Sequence, residues 1–175
     1  MVREYGAAKK DGRIACAEII MEVPNVKLPV RKKNRLPGYD YSRCGTYFIT
    51  ICTHDHKNRF WTNLQTPELS HAGMLVETAI MQIPQFYPNV ILDHYVVMPN
   101  HVHILMTLTE GDDRKKLETI VGQMKRWVTK RIGKPVWQKG FHDHIIRDDE
   151  DYAIKWEYTD TNPLRWQLDR EYYQE

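Results

Sequence analysis

Residues 90–109 read VILDHYVVMPNHVHILMTLT. Two runs rich in β-branched and aromatic residues, Val90–Met98 and His101–Thr109, stand either side of Pro99-Asn100, a pair that favours a turn over either regular structure. The pattern predicts an antiparallel hairpin with His101 opening its second strand. Upstream, GTYFITICT (residues 45–53) has the same β-rich composition and predicts a first strand. Between them, Glu68–Tyr87 places Leu69, Ala72, Leu75, Ala79, Ile83 and Phe86 at three- and four-residue steps, the stripe of an amphipathic helix, whose last turn Pro84 weakens. Downstream, Arg114–Ile132 predicts a second helix, with Leu117, Ile120, Val121, Met124 and Val128 inward and Lys125, Arg126, Lys130 and Arg131 towards water. Gly133 supplies its stop. Phe141–Ile146 predicts a fourth strand. Asp148 predicts the cap of a last helix, supported by Asp151 near its positive end and expected to end near Asn162, because Pro163 disfavours helical geometry in the residue before it.

Strand, helix, strand, strand, helix, strand is the order of a split βαβ unit. The expected fold is therefore α+β, a ferredoxin-like (RRM-like) sandwich with helices on one face of an antiparallel sheet and the other face free for a ligand. At 175 residues and 42% apolar composition the chain suits one domain. Residues 1–40, rich in Lys, Arg, Pro and Gly without a period, predict a basic arm, and residues 41–175 the compact domain. Three cysteines without CxxC spacing indicate neither a disulfide framework nor a thiolate zinc site. The apolar run Ile14–Val23 is interrupted by Glu18 and Glu22, unlike a signal peptide or membrane span, so a soluble cytoplasmic protein is expected.

Net charge is only +2, but its distribution is uneven: residues 27–59 carry eight bases against two acids, and residues 148–175 nine acids against three bases. The basic end, including Arg31, Lys32, Lys33 and Arg35, and the basic side of the second helix, Lys125, Arg126, Lys130 and Arg131, are candidates for phosphate contacts. Trp61 and Trp127 are candidate stacking surfaces for unpaired bases.

His101 and His103, two apart on a strand, project from one face with backbones roughly 6–7 Å apart. Val102, Ile104 and Met106 alternate with them and would pack beneath. Two further HxH pairs compete, His54/His56 in a polar run and His142/His144 on the fourth strand, but only the first pair has continuous apolar support. On the last helix, Tyr158 and Asn162 are four residues apart and share a face, with Cβ atoms about 5–6 Å apart. If that face meets the imidazole pair, two nitrogens and an amide oxygen make an open site suited to Mg²⁺ or Mn²⁺, with Tyr158 as a nucleophile beside it. Tyr152 points about 120° away around the helix.

Three segments, MPNHVHIL (98–105), WQKGFHDHIIRDDEDY (137–152) and EYTDTNPLRW (157–166), with NRLPGYDYS (34–42) and GTYFITICT upstream, resemble the single-tyrosine HUH transposases, and most closely their REP-associated branch. The resemblance runs from about Arg31 to Trp166. It implies His101 and His103 as metal ligands, Asn162 as the polar third ligand and Tyr158 as the nucleophile. It further implies cleavage and strand transfer of single-stranded DNA near hairpins with Mg²⁺ or Mn²⁺, through a 5′-phosphotyrosine, by a monomer or a homodimer. Two other readings compete: a non-catalytic single-strand binder stacking bases on Tyr47 and Phe48, and a two-histidine metal enzyme that takes a carboxylate ligand from Asp93 or Asp143.

Overall fold

The computed structural model describes residues 38–64, 67–111 and 114–172, with side chains as far as Trp166 in the last helix. The basic positions Arg31, Lys32, Lys33 and Arg35 lie outside the described residues, as does nearly all of the arm expected over residues 1–40. Four strands, β1 (Gly45–Cys52), β2 (Val90–Val97), β3 (His101–Leu108) and β4 (His142–Ile145), form one antiparallel sheet in the order β2-β3-β1-β4. Helices α1 (His71–Met81), α2 (Ile83–Phe86), α3 (Leu117–Ile132) and α4 (Asp149–Tyr172) complete the fold. This is the split βαβ arrangement that the sequence order predicts.

Side-chain alternation divides the sheet. Tyr47, Ile49 and Ile51 of β1 and Val102, Ile104, Met106 and Leu108 of β3 are all sealed against Val76, Ala79 and Ile80 of α1 and Leu117, Ile120, Val121 and Val128 of α3. The complementary positions, Phe48, Thr50, His101, His103, Leu105 and Thr107, face the other way. Here the structure departs from the expectation of helices on a single face, because α4 packs across β2 and β3 on that second side.

Two helix boundaries also differ from their sequence readings. The run expected over residues 68–87 divides at Gln82: Pro84 has no N–H to give Ile80, and the chain restarts as the short α2. Ser70 caps α1, its hydroxyl oxygen accepting from the Gly73 amide at 3.1 Å. The last helix does not stop at Asn162 but continues through Pro163 to Tyr172. An interior proline costs about 3 kcal/mol. Burial on both sides offsets it, with Thr159 and Asn162 before the proline and Trp166 packed against the core after it. At the other end of α4 the expected cap is present, the Asp151 amide donating to Asp148 Oδ1 at 2.8 Å. Gly133 ends α3 in the left-handed region at φ 75°, as its sequence position predicts.

Two glycines test this packing with opposite signs. A methyl group at Gly73, buried in α1, would run into the backbone carbonyl of Phe60, whereas at Gly122, exposed on α3, it would meet nothing. Gly73→Ala is expected to lower unfolding free energy by about 1–3 kcal/mol, and Gly122→Ala to raise it by about 0.5–1 kcal/mol, both measured by urea denaturation.

Candidate active site

The register of β1 against β3 builds the site floor. Thr50 lies opposite His103 and Cys52 opposite His101, so both imidazoles stand on the face covered by α4 while Val102 between them is buried in the core. Phe48, one pair further along, stacks on His103 with ring centres 5.1 Å apart and planes 18° from parallel. The two Nε2 atoms are 3.1 Å apart. Each Nδ1 is held from behind, His101 by Asn100 Oδ1 at 2.7 Å and His103 by Thr50 Oγ1 at 2.9 Å.

This is a ligand pair in form. Burial pushes His101 down to about 4 and His103 to about 3, the neighbouring His56 and Lys155 charges adding to the effect, so both rings are neutral at pH 7 and can offer lone pairs. Their Nε2 atoms are close enough for one cation to touch both at about 2.1 Å. Among the described residues no set of three or more His, Cys, Asp or Glu side chains gathers at a point. A third protein ligand here would therefore be an amide or hydroxyl.

α4 supplies both candidates. The Tyr158 ring meets His103 edge-on with centres 5.2 Å apart and also rests edge-on against Phe48 at 6.0 Å. Trp166, two turns on, lies 6.0 Å from His101. Asn162 sits on the same helical stripe midway between them. It is buried, 7% exposed, on the side of α4 that carries Tyr158 and Trp166. His103 is 4% exposed, His101 is half-buried and Tyr158 is 37% exposed, so the phenol is open to a substrate beside a largely covered imidazole pair. Two imidazole nitrogens and an amide oxygen are a donor set that could hold a cation such as Mg²⁺ or Mn²⁺.

Other sequence candidates separate from the site. Tyr152 turns aside and donates to Asp93 Oδ1 at 3.4 Å. His144 meets the Asp151 carboxylate at 2.8 Å and ties β4 to the start of α4, while His54 and His56 lie in a short 3-10 turn. Lys125 gives its ammonium to the carbonyls of Gln138 and Gly140, at 2.8 and 2.6 Å, so it braces a loop. Arg126, Lys130 and Arg131 are exposed on α3, across the sheet from the imidazoles, and Arg131 lies over the Trp127 ring at 4.8 Å. Trp61 is buried and donates to the Val97 carbonyl at 2.7 Å, which removes it as a stacking surface.

Tyr47 is sealed in the core and Phe48 is covered, so the base-stacking platform of a non-catalytic binder is not presented. The two-histidine alternative loses its carboxylates. Asp93 is engaged by Thr107 and Tyr152, and Asp143, opposite Ile49, projects to the other face. Sequence reasoning missed Lys155 and Arg165, whose cationic ends lie 5.5 Å from the Phe48 ring centre and 5.8 Å from that of Tyr158. Their spacing of three and seven residues from Tyr158 was the available signal. Among the described residues no helix is long and apolar enough to cross a membrane.

No family model matches the chain. It is 31% identical over 173 residues to an uncharacterised Haemophilus influenzae protein, covering 85% of this chain and 96% of that one. It is also 31% identical over 126 residues to the REP-associated tyrosine transposase of Escherichia coli K12, covering 71% of this chain and 70% of the relative. A solved structure of a REP-associated tyrosine transposase bound to a REP hairpin matches with a TM-score of 0.58 and 26% identity, over 77% of this chain and 74% of that one. The strand-borne imidazole pair and helix-borne tyrosine thus stand in a chain that belongs to the REP-associated tyrosine transposases.

The neutral imidazoles make metal-free stability depend on pH. Unfolded histidine binds its proton near pH 6.5, whereas His101 and His103 in the fold resist protonation until about 4 and about 3. The unfolded chain therefore holds more protons below pH 6.5, and stability is expected to fall as pH drops from there towards 4. His101→Gln is expected to flatten that decline in chelator-treated protein, as followed by urea midpoints across the range.

Proposed function

We propose that this chain cleaves and transfers single-stranded DNA beside hairpins through a covalent 5′-phosphotyrosine on Tyr158, with Mg²⁺ or Mn²⁺ held by His101, His103 and Asn162. The observation that carries the reading is the approach of the Tyr158 ring to within 5.2 Å of His103, whose Nε2 lies 3.1 Å from that of His101. The hairpin partner is supported by the structural relative, which was solved bound to a REP hairpin.

The reaction is a displacement at phosphorus. The Tyr158 oxygen forms a bond to the scissile phosphate as the bond to the 3′ oxygen breaks. The departing oxygen leaves as a 3′-hydroxyl, its proton replacing the one the phenol gives to solvent. The exchange of one phosphodiester for another preserves the bond energy, so a second 3′-hydroxyl can reverse the step and join a new end. A bound divalent cation would withdraw charge from the scissile phosphate and stabilise the departing oxygen.

The chain's own residues do the rest. The apolar floor of Val102 and Ile104 fixes the imidazoles, and Phe48 stacks on His103 while also packing nearly perpendicular to the Tyr158 ring. Lys155, between α4 and the sheet, is placed to offset phosphate charge next to the phenol. Because Tyr158 reaches the imidazoles of its own chain, one chain holds a complete set of reacting groups, which supports action in cis.

Labelled single-stranded hairpin DNA incubated with Mn²⁺ is expected to give a denaturation-resistant adduct. Tyr158→Phe is expected to abolish it, His101→Ala or His103→Ala to slow it by about 10²–10⁴-fold, and Tyr152→Phe to leave it intact. An adduct that survives Tyr158→Phe would overturn the assignment of the nucleophile.

A further inference from the structure

Two adjacent non-glycine residues, Asp55 and His56, adopt left-handed backbone conformations, at φ 57° and 51°. Such conformations are costly for residues with a Cβ and persist only where surrounding structure enforces them. The turn that contains them touches the site through Asn100. His56 presents its backbone carbonyl to Asn100 Nδ2 at 3.1 Å, and its own ring is met by Gln138 Nε2 at 2.9 Å. Thr53, fully buried at the start of the turn, donates its amide to the backbone carbonyl of Asn100 at 2.8 Å, and its hydroxyl proton is shared between that carbonyl, at 3.0 Å, and the carbonyl of Lys57, at 2.9 Å. Asn100 is thus gripped by main chain and by side chain at once.

The grip decides the chemistry of His101. A carbonyl only accepts, so the nitrogen of the Asn100 amide must face His56 and its oxygen must face His101. That oxygen also only accepts, so Nδ1 of His101 must carry the ring proton. Nε2 is then a bare lone pair, and it points at His103. With that lone pair 3.1 Å from His103 Nε2, the neutral His103 ring carries its proton on Nε2 in the metal-free protein, and its Nδ1 accepts from the Thr50 hydroxyl.

We propose that Asn100 is the positioning residue that selects the ligand tautomer of His101, and that the strained Asp55–His56 turn exists to aim it. This deepens the metal-dependent reading above and rests on it for its functional consequence, but the tautomer itself belongs to the metal-free protein. Partners of this kind behind a metal-bound imidazole are typically worth 10–100-fold in metal affinity.

The test is nitrogen NMR of the histidine rings in metal-free protein at neutral pH, together with Mn²⁺ titration by calorimetry. In the wild type His101 is expected to show a protonated Nδ1 and a bare Nε2. Asn100→Ala is expected to give a mixture of tautomers and to weaken Mn²⁺ binding about 10–100-fold. Asn100→Asp, which keeps an acceptor behind Nδ1, is expected to restore the tautomer. Gln138→Ala, which loosens the turn from outside without touching Asn100, is expected to shift both readouts less and in the same direction, and decides the matter if the alanine variant does not fold. An unchanged His101 tautomer in Asn100→Ala, or in Gln138→Ala should that be the only folded variant, would overturn the proposal. A wild type that binds no Mn²⁺ but shows the tautomer change would leave the positioning role standing and overturn the metal reading instead.

Discussion

The antiparallel register of β1 against β3 is the constraint on which the rest depends. Pairing Thr50 with His103 and Cys52 with His101 puts both imidazoles on one side of the sheet and Val102 and Ile104 in the core on the other. A slip of one residue would exchange the two sets, sinking the imidazoles among α1 and α3 and exposing a row of apolar side chains. The core therefore enforces the site: the free energy that holds Tyr47, Ile49, Ile104 and Met106 out of water also fixes the histidine side chains relative to Phe48 and Thr50. Stability and chemistry are set by the same period-two alternation.

α4 is the second requirement, and its placement is anchored at several points. Asp151 meets His144 of β4, Tyr152 reaches Asp93 of β2, and Trp156 stacks on His94 with ring centres 4.5 Å apart. These contacts run along the helix ahead of Tyr158 and fix its rotation, so that the stripe of Lys155, Tyr158, Asn162 and Trp166 turns towards the imidazoles. Continuation through Pro163 belongs to the same logic. Were the helix to end at Asn162, Trp166 would lose the scaffold that lays it beside His101.

Much of this was legible in the amino-acid order because it follows from local periodicity. The hairpin around Pro99-Asn100, the alternation of His101 and His103 with apolar neighbours, the four-residue spacing of Tyr158 and Asn162, and the cap at Asp148 each depend on a handful of consecutive residues. The features that escaped depend on partners distant in sequence. Pro163 reads as a stop until the burial of Thr159 and Trp166 is known. Lys125 reads as a free surface base, yet two loop carbonyls 13 and 15 residues away claim it. Trp61 reads as a possible stacking surface, but its indole binds the Val97 carbonyl inside the core. Asn100 reads as a turn former, and only the fold shows its amide held between His56 and His101. Periodicity reveals which face a side chain takes, whereas the bond that occupies its polar end depends on tertiary packing.

Pulsed electron paramagnetic resonance of Mn²⁺ bound to histidine-labelled protein tests most directly whether one cation, two imidazoles and the α4 phenol converge. Couplings to two imidazole nitrogens are expected, one lost in each of His101→Ala and His103→Ala, together with selective broadening of the Tyr158 ring resonances by the same ion. A Mn²⁺ signal showing only water ligands, or imidazole couplings without any effect on Tyr158, would contradict it.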